Sequence, residues 1–255
     1  MKTIYILTYS PTPDQIYGNL LALRTARTGF PTSKIIVSDN NSCEPARRIF
    51  KQLCTEHGYT YRQIEETVQH HDYLQNTIDQ ASGKIVICDP DVIFWENSEH
   101  LNDSENCVKG RLQPSMYVPL AAGMTLVTTR IHTSLLIIRD AQEYNRLLEP
   151  LKVRFGNPWA PRYAENLINK FQDTGSIVYE HLKQHHTPFT DYELYNFDHL
   201  TFGTHLIGSI DISDDIVSRP HRYARQGEYD KLWGLWAGQD VVWQNAHKQV
   251  PAMYL

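Results

Sequence analysis

The segment Gly83-Lys84-Ile85-Val86-Ile87-Cys88-Asp89-Pro90-Asp91-Val92-Ile93-Phe94 constrains the fold of this chain more than any other. Ile85 to Cys88 form a short apolar run, rich in β-branched residues and preceded by a glycine. Such a run reads as a central strand covered on both faces. Asp89 and Asp91 follow at its C-terminal end, where open α/β sheets hold their ligands. In extended backbone, residues i and i+2 project to the same side, and Pro90 stiffens the spacer between them. Two close carboxylates repel, and ionising both beside a hydrophobic strand end is costly unless a cation joins them. Hard divalent cations take oxygen ligands, and Mg²⁺ commonly binds one or two carboxylates plus substrate phosphates. The same residue types also build solvated turns after strands. Asp-Pro-Asp is therefore read as a metal site or as a turn.

Upstream of this segment, strands and helices alternate. Thr3 to Leu7 predicts a strand closed by Thr8-Tyr9-Ser10-Pro11-Thr12-Pro13. Residues 14–29 carry Ile16, Leu20, Leu23, Arg24 and Arg27 at helical spacing, with Gly29 as the stop. Lys34 to Ser38 predicts the second strand, and Asp39-Asn40-Asn41-Ser42 a polar turn. A helix over 44–57 turns Ala46, Ile49, Phe50 and Leu53 inward. Tyr59 to Gln63 predicts an edge strand, and Asp72 to Ala81 a third helix. This rhythm implies a parallel sheet with right-handed crossovers.

After Phe94 the rhythm changes. Residues 96–111 read as a polar loop, and Met116 to Leu120, Met124 to Thr128 and Leu135 to Ile138 as strands. A helix is expected over 140–153 and another over Ala164 to Phe171, ending near Gly175. Ile177 to Tyr179 reads as a short strand. The stretch from Tyr192 is aromatic, with Trp233, Trp236 and Trp243 expected on helix. No repeat or linker divides the chain, so the expectation is one α/β domain over 1–255, with halves 1–95 and 96–255 sharing a sheet.

A length of 255 residues admits one large core or two modest ones. The formal charge of −5 gives no general pull toward nucleic acid or anionic membrane. Cys43, Cys54, Cys88 and Cys107 form no CxxC pair and no zinc-type spacing, which reads as a reduced protein. The apolar run after Lys2 is too short for a signal peptide, and no run nears the ~20 residues that span a bilayer. The expected location is cytoplasmic.

Three segments resemble family 2-type glycosyltransferases of the GT-A fold. Ile6-Leu7-Thr8-Tyr9-Ser10 resembles their opening strand, and Ile36-Val37-Ser38-Asp39-Asn40-Asn41-Ser42 their second. Asp89-Pro90-Asp91, after Ala81-Ser82-Gly83, falls where their DxD motif falls. The resemblance implies a GT-A sheet, mostly parallel, and a nucleotide-sugar donor, first of all a UDP-sugar. It implies a bridging Mn²⁺ or Mg²⁺ and inverting transfer of a hexosyl or pentosyl group to an acceptor hydroxyl. By this resemblance Thr8 and Tyr9 approach the nucleotide, Asp39 receives the base, Asp89 meets metal or donor, and Asp91 binds the metal. From physics alone, Asp39 is equally a helix N-cap or turn former.

Later residues match less closely. Thr204-His205-Leu206-Ile207-Gly208-Ser209 resembles a late His-x-x-Gly-Ser pattern, making His205 a metal ligand, with His199 as competitor. Arg219 and Arg222 resemble a basic loop over the donor diphosphate, or form a solvated segment answering Asp211, Asp214 and Asp215. Glu165 is the only carboxylate in the stretch comparable to the family's base, and it is offset from the expected position. It reads as general base or as a first-turn acid of a helix. Arg130 to Ile137 reads as a polar turn entering a strand, with His132 and Ser134 as acceptor contacts. Trp95, Trp159 and Tyr163 read as sugar-stacking or core aromatics. The acceptor is left open between a glycan, a protein, a small molecule and a hydroxymethylated DNA base. Two alternatives stay beside this reading: a nucleotidyltransferase, though no Gly-rich loop follows the first strand, and a nucleotide- or sugar-binding module without turnover.

Overall fold

A computed structural model of the chain describes residues 2–12, 16–90, 92–94, 98–99, 107–120, 123–164, 167–185, 189–191 and 197–199. The elements begin with β1 (Thr3–Thr8), α1 (Ile16–Gly29), β2 (Lys34–Asn40), α2 (Glu44–His57), β3 (Thr60–Ile64), α3 (His70–Gln80) and β4 (Ile85–Cys88). Next come β5 (Val92–Phe94), β6 (Val108–Gln113), β7 (Met116–Leu120), β8 (Gly123–Val127), β9 (Arg130–Ile138) and α4 (Ala141–Phe155). The last are β10 (Arg162–Ala164), β11 (Leu167–Gln172), α5 (Ser176–Gln184), β12 (Phe189–Asp191) and β13 (Phe197–His199).

The fold is α/β, as expected. Its main sheet has seven strands in the order β12-β6-β9-β4-β1-β2-β3. The sheet is mixed: β2 runs parallel to β3, and β6 antiparallel to β9. A four-stranded sheet, β10-β11-β8-β7, and the pair β13-β5 hold the other described strands. β4 stands mid-sheet with all four residues buried, which is what its unbroken apolar run requires. β3 is an edge strand and partly exposed.

The chain divides into two compact units. One comprises Ile4–Thr67, Cys88–His100 and Leu194–Leu255. Its core gathers Ile4 and Ile6 of β1, Ile35 to Val37 of β2, Leu20 and Leu23 of α1, and Phe50 and Leu53 of α2. Full burial of each such aliphatic or aromatic side chain is worth ~1.5–3 kcal/mol. Gly58 ends α2 in the left-handed region at φ 67°. Gly29 ends α1 beneath Phe94, whose ring would lie 2.7 Å from any added Cβ. Phe94 meets Phe30 edge-on at 5.1 Å and donates its N–H to Thr25 Oγ1 at 3.0 Å.

The other unit comprises Met1–Thr3, Val68–Ile87 and Leu101–Glu193. Asp140 caps α4 by accepting from the Gln142 and Glu143 N–H groups. Lys152 Nζ joins Asp79 at 2.7 Å, and Asn157 Nδ2 donates to Asp72 at 2.9 Å, tying α4 and its exit to α3. Leu74, Ile78, Leu135, Leu136, Tyr144, Leu148 and Trp159 are buried here. Trp159 thus takes the core reading.

Several expectations change. Ala164 to Phe171 is not a helix: β10 and β11 pair there as an antiparallel hairpin. Leu167 and Phe171, four apart, imitate a helical stripe, but Leu167 is 48% exposed. Ile177 to Tyr179 is not a strand but part of α5, where Val178 and Leu182 form the four-residue repeat that is buried. Arg130 to Ser134 is not a turn but the start of β9, buried along its whole length. Arg130 tolerates this through an ion pair with Asp173 and a 2.8 Å bond to Gln113 Oε1. Burial lowers its guanidinium to about 10, so it stays charged at neutral pH. The loop expected over 96–111 gives way to β6 at Val108. Trp95, Trp233, Trp236 and Trp243 lie outside the described residues. Among the described residues no helix is long and apolar enough to cross a membrane.

Candidate functional site

Chain order moves outward from β1 through β2 to β3, and β4 then takes the other side of β1. Open α/β sheets bind ligands outside the strand ends at such a reversal. Thr8, Tyr9 and Ser10 stand at the carboxyl end of β1, Asp39 at that of β2, and Asp89 just past β4. All five belong to the same compact unit. Thr8 Oγ1 donates to the Ser38 carbonyl at 3.4 Å, and the Ser10 N–H donates to Ser42 Oγ at 2.9 Å. The Cys43 N–H donates back to the Ser10 carbonyl at 2.9 Å. These bonds lock the exits of β1 and β2 together.

Asn19 holds the Tyr9 backbone from α1. Its Oδ1 accepts the Tyr9 N–H at 2.8 Å, and its Nδ2 donates to the Tyr9 carbonyl at 2.9 Å. The sequence reading passed over Asn19, yet a signal exists: it shares the inward stripe of α1 with Ile16 and Leu23.

Asp39 is fully buried. Its Oδ1 accepts the Ser42 N–H at 3.1 Å and its Oδ2 the Tyr61 hydroxyl at 2.6 Å. The short second bond is of the charge-assisted kind that makes a buried carboxylate tolerable. Burial, then the bond to Asp39, pushes the Tyr61 phenol above its ordinary range. Burial and the nearby Asp39 charge raise the Cys54 thiol to about 12. Asn41 turns the chain at φ 59°. The N-cap of α2 is Cys43, without a side-chain cap bond, so the helix-cap reading of Asp39 is replaced by the turn-former reading.

Pro90 is held against α1 by its backbone. The Pro90 carbonyl accepts the Ala22 N–H at 2.9 Å, and the Asp89 carbonyl accepts the Val92 N–H at 3.4 Å. Asp89 is 6% exposed. Asp91 and His205 lie outside the described residues. β13 pairs antiparallel with β5, and the His199 backbone stands opposite Val92, the residue after Asp91. Among the described residues no three His, Cys, Asp or Glu side chains gather as a metal site. Asp89 is the described member of the expected donor set, and a carboxylate oxygen suits Mg²⁺ or Mn²⁺.

Glu165 lies outside the described residues. Arg219 and Arg222 also lie outside. His132 and Ser134 share one side of β9 and are 7% and 1% exposed, with the Ser134 N–H donating to His132 Nδ1 at 3.2 Å. Tyr163 is 46% exposed and meets Phe171 edge-on.

No protein-family model matches the chain. No curated protein matches it either. Among solved structures it is similar to the apo form of the bifunctional glycosyltransferase WbbM, at 13% identity and TM-score 0.41 over 59% of this chain. The chain spans about a third, 34%, of that protein. It is similar to 4-diphosphocytidyl-2C-methyl-D-erythritol synthase of Anaerococcus prevotii, at 10% identity and TM-score 0.48, over 80% of this chain and 91% of the other. It is also similar to the mannosyltransferase PcManGT of Pyrobaculum calidifontis, solved with GDP-Man and Mn²⁺. There the identity is 13% and the TM-score 0.46, over 99% of this chain and 73% of the other.

Proposed function

We propose that the chain is a glycosyltransferase of GT-A type that takes its sugar from a nucleotide-sugar donor. One observation carries the reading: Thr8, Tyr9, Asp39 and Asp89 meet the strand ends at the reversal of strand order, inside one compact unit. In this reading Asp39 receives the nucleotide base. Ser42 and Tyr61 fix its orientation before ligand arrives, and each oxygen keeps acceptor capacity beyond its one bond. The Asn19 clamp holds Tyr9 at the nucleotide in the same way. Asp89 and Asp91 would hold Mn²⁺ or Mg²⁺, which when bound supplies charge stabilisation to the departing diphosphate.

His199 is favoured over His205 as the imidazole of this site, because its backbone pairs with Val92, the residue that follows Asp91 in sequence. Arg219 and Arg222 would add cations to the diphosphate, and His132 and Ser134 would serve the acceptor side. Transfer with inversion requires a general base on the acceptor hydroxyl. Glu165 is proposed for it, with Asp191 and Asp198 as the next acids to test.

Incubation with UDP-, GDP-, dTDP- and CMP-sugars plus Mn²⁺, read by nucleotide release, tests the proposal. Release of free nucleotide with loss of the sugar is expected for one donor. Pyrophosphate released from a nucleoside triphosphate and a sugar phosphate would reassign the chain to nucleotidyl transfer. Binding without turnover of any donor would leave a binding module.

A further inference from the structure

Two polar residues, Asn19 and Thr25, are fully buried in the interior of α1. Neither favours a helix, and burying an amide or a hydroxyl costs free energy unless it is bonded. Asn19 is bonded to the Tyr9 backbone at the exit of β1, on the nucleotide side of the proposed site. Thr25 is bonded to the Phe94 N–H, which its Oγ1 accepts at 3.0 Å.

Phe94 closes the stretch that begins at Asp89. The Asp89 carbonyl accepts the Val92 N–H at 3.4 Å, and β5 leaves from that turn. β5 belongs to the pair β13-β5 and not to the seven-stranded sheet, so no ladder of that sheet directs it. The contacts that direct it come from α1. Ala22 shares its N–H with the Pro90 carbonyl at 2.9 Å, Thr25 holds the Phe94 amide, and Gly29 leaves room for the Phe94 ring. Ala22, Thr25 and Gly29 recur at intervals of three and four, which is one face of a helix. Asn19, three residues earlier, continues the same face to Tyr9. One stripe of α1 thus grips the exit of β1 and, further along, the turn after Asp89, all within one compact unit.

We propose that Thr25 is a positioning residue for the metal side of the site, holding Phe94 so that the Asp89 turn is set for a divalent cation and a diphosphate. The inference rests on the donor reading and adds to it a division of labour along α1, in which Asn19 serves the nucleotide and Thr25 the metal. Thr25→Val keeps the shape of the side chain and removes the acceptor of the Phe94 N–H.

Calorimetry of UDP, GDP and dTDP binding, over a range of Mn²⁺ concentrations and in chelator, tests it. Thr25→Val should raise the Mn²⁺ needed for half-maximal nucleotide binding roughly tenfold (about 1.4 kcal/mol). Its affinity in chelator should stay that of wild type, and excess Mn²⁺ should restore the remainder. Thr25→Ser, which keeps the hydroxyl, should titrate as wild type does. Asn19→Ala should behave in the opposite way, losing affinity in chelator while its Mn²⁺ requirement holds. Ser33→Ala loses bonds to Glu99 in the same compact unit and should leave the Mn²⁺ requirement unchanged, whatever its melting temperature. If Thr25→Val fails to fold, Thr25→Ala takes its place. Wild-type Mn²⁺ dependence in the Thr25 variant overturns the role of Thr25 and leaves the donor reading standing. An equal shift in Ser33→Ala or in Asn19→Ala overturns it as well. A wild-type protein that binds none of the three diphosphates with Mn²⁺ overturns the donor reading, and this inference with it.

Discussion

Asp39 shapes a turn and is also the proposed seat of the nucleotide base, and its two bonds allow the roles to be separated. Asp39→Ala leaves the Tyr61 hydroxyl and the Ser42 N–H without their acceptor. Denaturant unfolding should show a loss of about 1–3 kcal/mol. Nucleotide affinity, measured where the variant is still folded, should fall as well; unchanged affinity would leave Asp39 a turn residue only. The turn was legible from Asp39-Asn40-Asn41-Ser42, but Tyr61 was not. Its reach depends on β2–β3 register, which pairs Tyr61 with Val37 and so sets it diagonally to Asp39. The cysteines give a second residue-scale expectation. Burial lifts Cys54 to about 12 and Cys107 to about 11, so both remain thiols at pH 8. Iodoacetamide on native protein should label half-exposed Cys43 first, with Cys54 and Cys107 protected until unfolding. Mass spectrometry of the digest reads this directly.

At the scale of elements, misread segments fail for one reason: a short apolar pattern carries no statement of which face finds a core. Leu167 and Phe171 fit a helix by spacing and sit on a hairpin, while Ile177 and Val178 fit a strand by composition and sit on a helix. The punctuation was more informative than the stripe. Gly175 adopts φ 90° at the start of α5, and an added Cβ there would run into the Ile131 carbonyl. Gly83 is also left-handed, at φ 66°, but nothing lies within 4 Å of an added Cβ. Gly83→Ala should therefore cost only the conformational penalty, ~1–2 kcal/mol. Gly175→Ala should cost clearly more, because strain and overlap add. Equal losses in urea unfolding would deny the close approach of α5 to β9.

For the whole molecule, the strand–helix rhythm up to β4 was legible because each strand–helix step repeats one unit of pattern. The half after Phe94 was not, because β6, β9 and β12 join the sheet from distant parts of the chain and with mixed direction. Burial there is set by tertiary partners and not by local periodicity. Alkaline stability follows from the same burial. Cys54 rises from 9.0 and Tyr59 from 10.0, each to about 12, chiefly through desolvation. Both groups ionise more easily in the unfolded chain, so the folded state is fully favoured below pH 9 and loses that advantage as pH climbs toward 12. Melting temperatures should fall over that window; a flat profile would mean the two groups are not desolvated.

The donor reading meets its most direct test in calorimetric titration of UDP, GDP and dTDP into wild type and Asp91→Asn, with Mn²⁺ and with chelator. One nucleoside diphosphate should bind wild type with Mn²⁺, and at 100 times its dissociation constant it should stabilise the fold by about 2.7 kcal/mol. Asp91→Asn should keep the wild-type melting temperature and lose the metal-dependent part of that binding. A wild-type protein that binds no nucleoside diphosphate, or an Asp91→Asn protein that binds it with Mn²⁺ as tightly as wild type, would contradict the assignment of these strand ends to a metal-bridged nucleotide sugar.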